Sequence, residues 1–276
     1  MIAHRTFALA AGLALATLGG AAAAESPAKP AVAPAAKTVK DIRACMSDNL
    51  IKRGALRDMN LGIYDKEGKV RDLRMRLYWK PSKTGGTRVH LRIVEPPIMI
   101  GSSYLMLQEG PNEEVYFYLP GADRALRITG QNMSEPLWGT DFSYGEIKQV
   151  MGLLVTGKTR RLADAAVASR PSYVLETQTS MDETGYRKVV NYVDQASCVL
   201  LKSEFVANGD KPRKVLEGDL SSLLQADRYW TMLAYKMSDL SRGSYTQLSL
   251  SDLSVDERLS EKLFDPKVFY AQNPPL

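Results

Sequence analysis

VRDLRMRLYWK, residues 70–80, alternates apolar and polar residues along most of its length. Its apolar face carries Leu73, Met75, Leu77 and Trp79. Successive side chains of a β-strand point to opposite faces, so this spacing of two predicts a strand that is apolar on one face. After a Gly-Gly turn, TRVHLRIVE at residues 87–95 repeats the pattern with basic residues on its polar face. Two such neighbours indicate an antiparallel sheet with one face toward the core and one toward water.

The same kind of strand recurs along the chain, with a break near residues 131–168. The later segments are SSYLMLQE, EVYFYLP, RALRI, SYVLETQTSM, RKVVNYVD, CVLLKSEFV, PRKVLEG, RYWTMLAYKMSD and YTQLSLSDLSV. Residues 182–185 and the Asn208-Gly209 pair are typical of hairpin turns. Roughly ten strands with short connections favour an antiparallel meander over a parallel sheet. A meander of this length curls, and its apolar face needs a cover.

An amphipathic helix is predicted before the first strand. Thr38 and Asp41 have the spacing of a capping box, in which each side chain bonds the backbone N–H of the other residue. Apolar residues follow at helical spacing, and Gly54 supplies a stop signal. These apolar residues are Val39, Ile42, Met46 and Leu50.

WGTDFSYGEIKQVMG, residues 138–152, predicts a second, short helix. Ser143 and Glu146 match a capping box, and Phe142 and Ile147 match the hydrophobic staple that often accompanies one. The apolar residues Ile147, Val150, Met151 and Leu154 then recur on one helical face. Glycines at 145, 152 and 157 favour a helix of only moderate stability, as a lid that must open requires. We therefore predict a mainly β fold with few helices: a curved antiparallel sheet forms a half-open, incomplete β-barrel, covered by the N-terminal helix and this short mid-chain helix.

The first 24 residues have the features of a secretory signal peptide: basic residues, a short apolar run and an Ala-rich end. Cleavage is expected near Ala24, which predicts an exported protein. Residues 25–37, rich in Ala and Pro, are expected to form a flexible leader, and residues 38–276 a single domain. No later stretch is long and apolar enough for a membrane span. The net charge of +5 is spread along the chain, which argues against nucleic-acid binding.

Two cysteines, Cys45 and Cys198, remain after the signal peptide. Export places them where disulfides persist, so we expect them to pair. The alternative is two buried thiols too far apart to join.

The residues for common catalytic sites are missing from the exported chain. Its one histidine, His90, lies between Arg88 and Arg92 on the predicted polar face, where we expect it to be exposed. The sequence offers no short-spaced zinc ligands, phosphate-binding loop or nucleophile motif. We therefore predict a non-enzymatic protein with no cofactor and no metal. A hydrolase using Ser143 or Asp141 is the less favoured alternative.

Several segments, in order along the chain, resemble a known family. These are EPPIMIGSSYLM, then YFYLPGADRALRI, then WGTDFSYGEI, and later CVLLKSEF. Together they resemble the LolA-like outer-membrane lipoprotein-sorting proteins over roughly residues 71–266, although Leu137-Trp138-Gly139-Thr140 departs from the usual residues before Asp-Phe. The resemblance implies a half-open barrel whose helices cover a concave apolar face, and a carrier that shelters acyl chains in the periplasm. It also implies a membrane lipid exporter or an outer-membrane acceptor as possible partners.

These observations together predict a carrier of lipid or lipoprotein acyl chains. Such a carrier needs a continuous apolar concavity, because each buried methylene contributes about 0.8 kcal/mol. We expect the cavity to be lined by Leu77, Trp79, Leu91, Ile93, Tyr104, Met106, Phe117, Trp138, Phe142, Tyr144 and Met151. The alternative is a periplasmic adaptor of an envelope export complex that uses the same fold without carrying lipid.

Overall fold

A computed structural model describes residues 37–271 except 69, 111, 252 and 257. The predicted signal peptide, residues 1–24, and residues 25–36 of the predicted leader lie outside the described residues. Nearly all of the predicted domain is described, and it has one sheet-based architecture.

The described residues form two α-helices and a long series of strands. The helices are α1 (Val39–Asp48) and α2 (Met181–Thr184). The strands are β1 (Ala55–Tyr64), β2 (Val70–Pro81), β3 (Thr87–Glu95), β4 (Ser103–Glu109), β5 (Asn112–Tyr118), β6 (Leu126–Ile128), β7 (Lys158–Arg161), β8 (Ala165–Val167), β9 (Arg170–Gln178), β10 (Lys188–Asp194), β11 (Leu200–Val206), β12 (Lys214–Gly218), β13 (Leu223–Ala226), β14 (Tyr229–Met232), β15 (Ala234–Asp239), β16 (Ser244–Leu250) and β17 (Ser254–Val255). The same residues also form six 3₁₀ helices, which are Pro97–Met99, Gly130–Ser134, Leu137–Gly139, Ile147–Met151, Leu220–Ser222 and Glu261–Phe264.

Fifteen of these strands form one antiparallel sheet. Its order is β6-β5-β4-β3-β2-β1-β16-β15-β12-β11-β10-β9-β7, with β17 beside β1 and β8 beside β9. The terminal strands β6 and β7 do not pair with each other in the described chain, so the sheet curves without closing. The predicted half-open antiparallel barrel is therefore confirmed.

One face of the sheet, the inner face, carries the main core. In β1 and β2 the apolar pairs Met59–Met75 and Leu61–Leu73 lie opposite each other, and all four residues are buried. The alternation that predicted β2 and β3 thus gives the correct faces. Strand β1 was not predicted, because Arg57 interrupts the apolar alternation of its inner face.

Helix α1 begins as predicted. The Thr38 backbone N–H donates to Asp41 Oδ2 at 2.8 Å, and the Asp41 N–H donates to Thr38 Oγ1 at 3.2 Å, which completes the capping box. The helix ends at Asp48 with Asn49 as its C-cap, several residues before the predicted stop at Gly54. Cys45 is bonded to Cys198 across 153 positions, so the predicted pairing is present.

The prediction that the opposite, outer face is open to water is wrong for the part of β2 to β5 around Tyr78, His90 and Leu105. The C-terminal segment, residues 259–271, lies across it. This segment buries Leu259, Leu263, Phe264 and Phe269 against Tyr78 and Leu105. Glu261 accepts from Lys80 Nζ at 2.7 Å and from Arg88 Nη1 at 2.6 Å, so part of the basic face is paired with this cover.

His90 is completely buried beneath the C-terminal segment, whereas we expected it to be exposed. Its ring lies 5.3 Å from the Tyr78 ring and 5.4 Å from the Phe269 ring. Burial, with a smaller contribution from Arg92, lowers the pKa of His90 to about 3. The imidazole is therefore neutral and acts as a core aromatic ring.

Candidate functional site

An apolar cavity of about 380 Å³ lies between α1, the inner face of the sheet and the strands β13 and β14. This volume is within the range of about 300–1,000 Å³ found for small-molecule sites. The sheet contributes Leu77, Trp79, Leu200, Tyr235 and Leu250 to its walls. Helix α1 and the residues after it contribute Met46, Leu50 and Ile51, and the two strands contribute Leu224, Tyr229, Trp230 and Met232.

Strands β13 and β14 form a two-stranded ribbon, residues 223–232, that is separate from the main sheet. The chain leaves the sheet after β12 and returns at β15. The sequence RYWTMLAYKMSD, residues 228–239, was predicted to form a single strand, but it is divided between β14 and β15. The return is fixed by Ser222, whose carbonyl accepts from the Leu233 N–H at 3.2 Å and whose Oγ accepts from the Ala234 N–H at 2.9 Å. The ribbon therefore covers the cavity without belonging to the sheet.

Asn49 joins the end of α1 to the ribbon. Its Oδ1 accepts from the Trp230 backbone N–H at 3.0 Å, and its Nδ2 donates to the carbonyl of Ser197, next to the disulfide. Nearby, Trp79 Nε1 donates to the Ile51 carbonyl at 2.9 Å. Hydrogen bonds thus hold both covering elements and the sheet in one arrangement around the cavity.

The predicted lining residues divide into two groups. Leu77, Trp79 and Met151 line the cavity. The other eight are buried in the core outside its walls: Leu91, Ile93, Tyr104, Met106, Phe117, Trp138, Phe142 and Tyr144. Participation of either group in ligand binding remains a prediction.

The aromatic residues of the central segment, residues 137–152, fill the interior over β4 and β5. The Phe117 ring lies 5.8 Å from the Trp138 ring and 5.0 Å from the Tyr144 ring. Tyr104 Oη donates to the Tyr144 carbonyl at 3.0 Å. Burial raises the pKa of Tyr144 to about 12, so its phenol is neutral at ordinary pH. These rings occupy space that a ligand would otherwise need.

Glu146 attaches the central segment to the far side of the sheet. Its Oε2 lies 3.0 Å from Lys214 Nζ, and its Oε1 accepts from Tyr186 Oη. The Lys214 ammonium also donates to the Asp141 carbonyl at 2.8 Å. All of these groups are buried, so they form a connected polar network inside the barrel.

Asp141 makes a second attachment to β16. Its Oδ1 accepts from Ser244 Oγ at 2.5 Å, and its Oδ2 accepts from Thr246 Oγ1 at 2.8 Å. Its backbone N–H donates to the same threonine hydroxyl at 2.9 Å. The carboxylates of Asp141 and Glu146 therefore have structural partners, and neither faces the cavity.

The central segment differs from the predicted α-helix. It forms 3₁₀ turns, and half of the predicted capping box is present: the Ser143 N–H donates to Glu146 Oε2 at 2.8 Å. Glu146, which was predicted as a helix residue, instead holds Lys214. The expectation of a moderately stable lid does not fit a segment joined to the sheet by buried ionic groups.

A larger groove of about 930 Å³ lies on the outer side of β1, β2, β15 and β16. Exposed polar residues line much of it: Asn60, Asp72, Arg74, Glu217, Lys236, Gln247 and Ser249. These charged and amide groups interrupt the apolar surface of the groove, so an acyl chain there would lie against hydrated groups on the outside of the sheet. The smaller interior cavity is therefore the candidate site.

Within the described residues, no group of three or more His, Cys, Asp or Glu side chains is placed to hold a metal ion. The same part of the chain has no helix long and apolar enough to cross a membrane.

An open antiparallel sheet with a helix and a ribbon over an interior apolar cavity defines a LolA-like fold. A family model with the description "Uncharacterized protein" matches residues 85–269, and the chain belongs to that family. No curated protein matches the chain.

Solved structures confirm the fold. A putative outer membrane lipoprotein-sorting protein domain from Vibrio parahaemolyticus has 23% identity and a TM-score of 0.70, with 81% of this chain and 94% of that chain covered. A DUF1329 family protein from Desulfovibrio piger has 21% identity and a TM-score of 0.71, with coverages of 82% and 95%. A LolA superfamily protein from Nitrosomonas europaea has 18% identity and a TM-score of 0.65, with coverages of 83% and 98%.

Sequence reasoning missed two parts of the site. The ribbon residues Leu224, Trp230 and Met232 were assigned to a sheet strand or left unassigned. Arg57 lies on the inner face of β1, opposite Leu77, and lines the cavity. A signal for the ribbon was present in the polar Asp227-Arg228 pair, which forms its turn.

Proposed function

We propose that this protein is a non-enzymatic periplasmic carrier that shelters the acyl chains of lipids or lipoproteins during transfer to the outer membrane. In this proposal a signal peptide is removed near Ala24, and residues 38–276 act as a single binding domain. A membrane lipid exporter and an outer-membrane acceptor are the proposed donor and acceptor. The observation that carries the proposal is the apolar cavity enclosed by α1, the ribbon and the inner face.

The chemistry of the cavity supports an acyl chain as ligand. Its walls are mostly aliphatic, aromatic and thioether side chains, with Met46, Met151 and Met232 among them. Methionine adapts to ligands of different shape because its side chain is flexible and polarizable. Each methylene moved from water into such a chamber contributes about 0.8 kcal/mol, so a chain of ordinary length binds without any specific polar contact.

The construction of the cover supports reversible loading. The ribbon is joined to α1 through Asn49 and is not part of the sheet ladder. Opening it would break few backbone hydrogen bonds, whereas opening the central segment would expose a buried ion pair. The ribbon and α1 are therefore the proposed entrance, and the central segment is a fixed part of the interior.

Lipid extraction tests the proposal directly. Protein purified from periplasm without detergent is expected to carry bound lipid, detectable by native mass spectrometry. Leu224→Trp adds volume at a partly buried wall position and is expected to reduce bound lipid while the protein stays folded. Leu240→Trp, at a residue 57% exposed in the turn between β15 and β16, is the matched control. An empty cavity in wild type, or equal lipid in both variants, would contradict the proposal.

The second candidate function is an adaptor of an envelope export complex that does not carry lipid. It is favoured by Ile98 and Ile100, which are 90% and 52% exposed in the turn between β3 and β4. Substituting both by Ser should abolish assembly with the complex if the protein is an adaptor. In that case Leu224→Trp should have no effect on transport, whereas a carrier should lose transport with Leu224→Trp.

A further inference from the structure

Arg57 is a charged residue on an otherwise apolar part of the inner face. Along β1, Ala55, Met59 and Leu61 share its face and are buried, while Arg57 is half-buried. It pairs in register with Leu77, a wall residue of the cavity. Its side chain therefore places a permanent positive charge at the wall of the apolar chamber.

Among the charged residues of the cavity wall, basic residues outnumber acidic ones. Arg57 and Arg53 are basic, and Asp227 at the turn of the ribbon is acidic; these are the charged lining residues in the described chain. Arg53 and Asp227 are exposed, which places them at the mouth. The polar residues Asn49 and Thr231 also contribute to the wall. The cavity wall is thus mainly apolar, and its charged lining residues in the described chain sum to one positive charge.

The size of the chamber limits the number of chains it holds. A water molecule takes about 30 Å³ of liquid volume and a methylene group a similar volume, so a cavity of about 380 Å³ holds at least about a dozen such groups. One saturated chain of about this many carbons fits, and a diacyl lipid or a lipoprotein would keep only part of its acyl chains inside the chamber.

Building on the proposed function, we infer that the cavity binds a single-chain amphiphile with an anionic headgroup. Its chain lies in the apolar chamber, and its carboxylate or phosphate oxygens lie against Arg57 and Arg53. A guanidinium has five N–H donors in a planar arrangement, so it can bind such oxygens in addition to its contacts within the protein. A free fatty acid and a lysophospholipid share this chemistry.

Binding of chain-matched ligands tests the inference. Myristate, myristyl alcohol, myristoyl lysophosphatidic acid and myristoyl lysophosphatidylcholine differ in headgroup and share one chain length. Trp79 and Trp230 line the cavity, so tryptophan fluorescence reports binding. The affinity for the anionic ligands relative to the alcohol should be about tenfold lower in Arg57→Gln than in wild type. This is the loss expected for one charge-assisted hydrogen bond. Binding of the alcohol itself should change little.

Two variants control for charge and for position. Arg57→Lys keeps the charge and should retain most of the preference for anions. Arg76→Gln removes an arginine from the outer face, where it pairs with Asp58 at 2.9 Å, and should leave the preference unchanged. If Arg57→Gln does not fold, salt dependence in wild type is the second measurement: anion affinity should decrease with added salt while alcohol affinity does not.

The outcomes separate this inference from the carrier proposal. If acid and alcohol both bind and Arg57→Gln leaves their ratio unchanged, the headgroup inference is overturned and the carrier proposal stands. If none of the four amphiphiles binds, both are overturned. Preference for lysophosphatidic acid over myristate supports the inference and assigns a phosphate headgroup; the reverse order supports it and assigns a carboxylate.

Discussion

Glu146 and Lys214 form an ion pair with an O–N distance of 3.0 Å inside the barrel, and both side chains are more than nine-tenths buried. The pair links the central segment to β12. Because Lys214 also donates to the Asp141 carbonyl, one ammonium holds the segment at two points. The aromatic residues between these points are consequently fixed over β4 and β5.

Removing one member of this pair should strongly destabilise the fold. Lys214→Met leaves the Glu146 carboxylate buried without its cation, and we expect a loss of about 3 kcal/mol or more in the free energy of unfolding, measured in urea. Glu146→Gln combined with Lys214→Met should cost less than the sum of the single changes. Lys66→Met, in an exposed pair with Glu67, should change stability by less than about 0.5 kcal/mol. Equal effects at the two lysines would show that the buried pair is not a structural attachment.

The buried His90 should make stability depend on pH. Its pKa is about 3 in the folded protein and about 6.5 when unfolded, so between these values the unfolded state binds one more proton. Stability should therefore be full above pH 6.5 and fall by about 1.4 kcal/mol per pH unit as the pH decreases below it. Urea unfolding between pH 4.5 and 7.5 measures this slope. His90→Phe, which keeps an aromatic ring between Tyr78 and Phe269, should flatten it; an unchanged slope would mean that other groups are responsible.

The disulfide should stabilise α1 over the cavity. Replacing Cys45 and Cys198 by Ser removes a cross-link across 153 positions, and we expect a loss of about 2–5 kcal/mol together with faster loss of bound lipid. Thermal unfolding with and without reductant measures the first effect, and the double variant should not respond to reductant. Two free thiols in unreduced, denatured wild type would contradict the pairing.

Asn49 should control the rate at which a ligand leaves. Asn49→Ala removes the acceptor for the Trp230 N–H and the donor to the Ser197 carbonyl, each worth about 1 kcal/mol. If the ribbon opens for release, a loss of this size should accelerate dissociation of a fluorescent acyl probe by about fivefold or more. Asn112→Ala, at the exposed first residue of β5, should leave the rate unchanged. An unchanged rate in Asn49→Ala would place the entrance elsewhere.

The local parts of the fold could be predicted, because their causes lie close together in sequence. The capping box of α1 needs Thr38 and Asp41 alone, and the faces of β2 and β3 follow from alternation. Those same alternating residues gave the correct side of the sheet for the core. The half-open barrel followed from the number of antiparallel strands and their short connections.

The parts that were missed depend on residues far apart in sequence. The cover over His90 comes from residues 259–271, and nothing near His90 indicates it. Glu146 fits a local capping pattern, but its strongest partner, Lys214, is 68 residues away. Similarly, the sequence pattern of residues 228–239 is compatible with one strand. The hydrogen bonds that Ser222 accepts from the backbone divide these residues into β14 and β15. Long-range pairing of this kind holds the central segment over β4 and β5, where it fills the interior. The cavity is therefore limited to the part of the inner face beneath α1 and the ribbon.

The C-terminal segment has a practical consequence for handling the protein. Loss of the chain beyond Arg258 through proteolytic trimming would uncover Tyr78, Leu105 and the aromatic ring of His90 at once. The exposed strip would lie on the convex surface, where two copies could meet through it without disturbing the cavity. A trimmed preparation is therefore expected to self-associate while still binding ligand, and intact mass measured before any binding assay would distinguish that behaviour from natural oligomerisation.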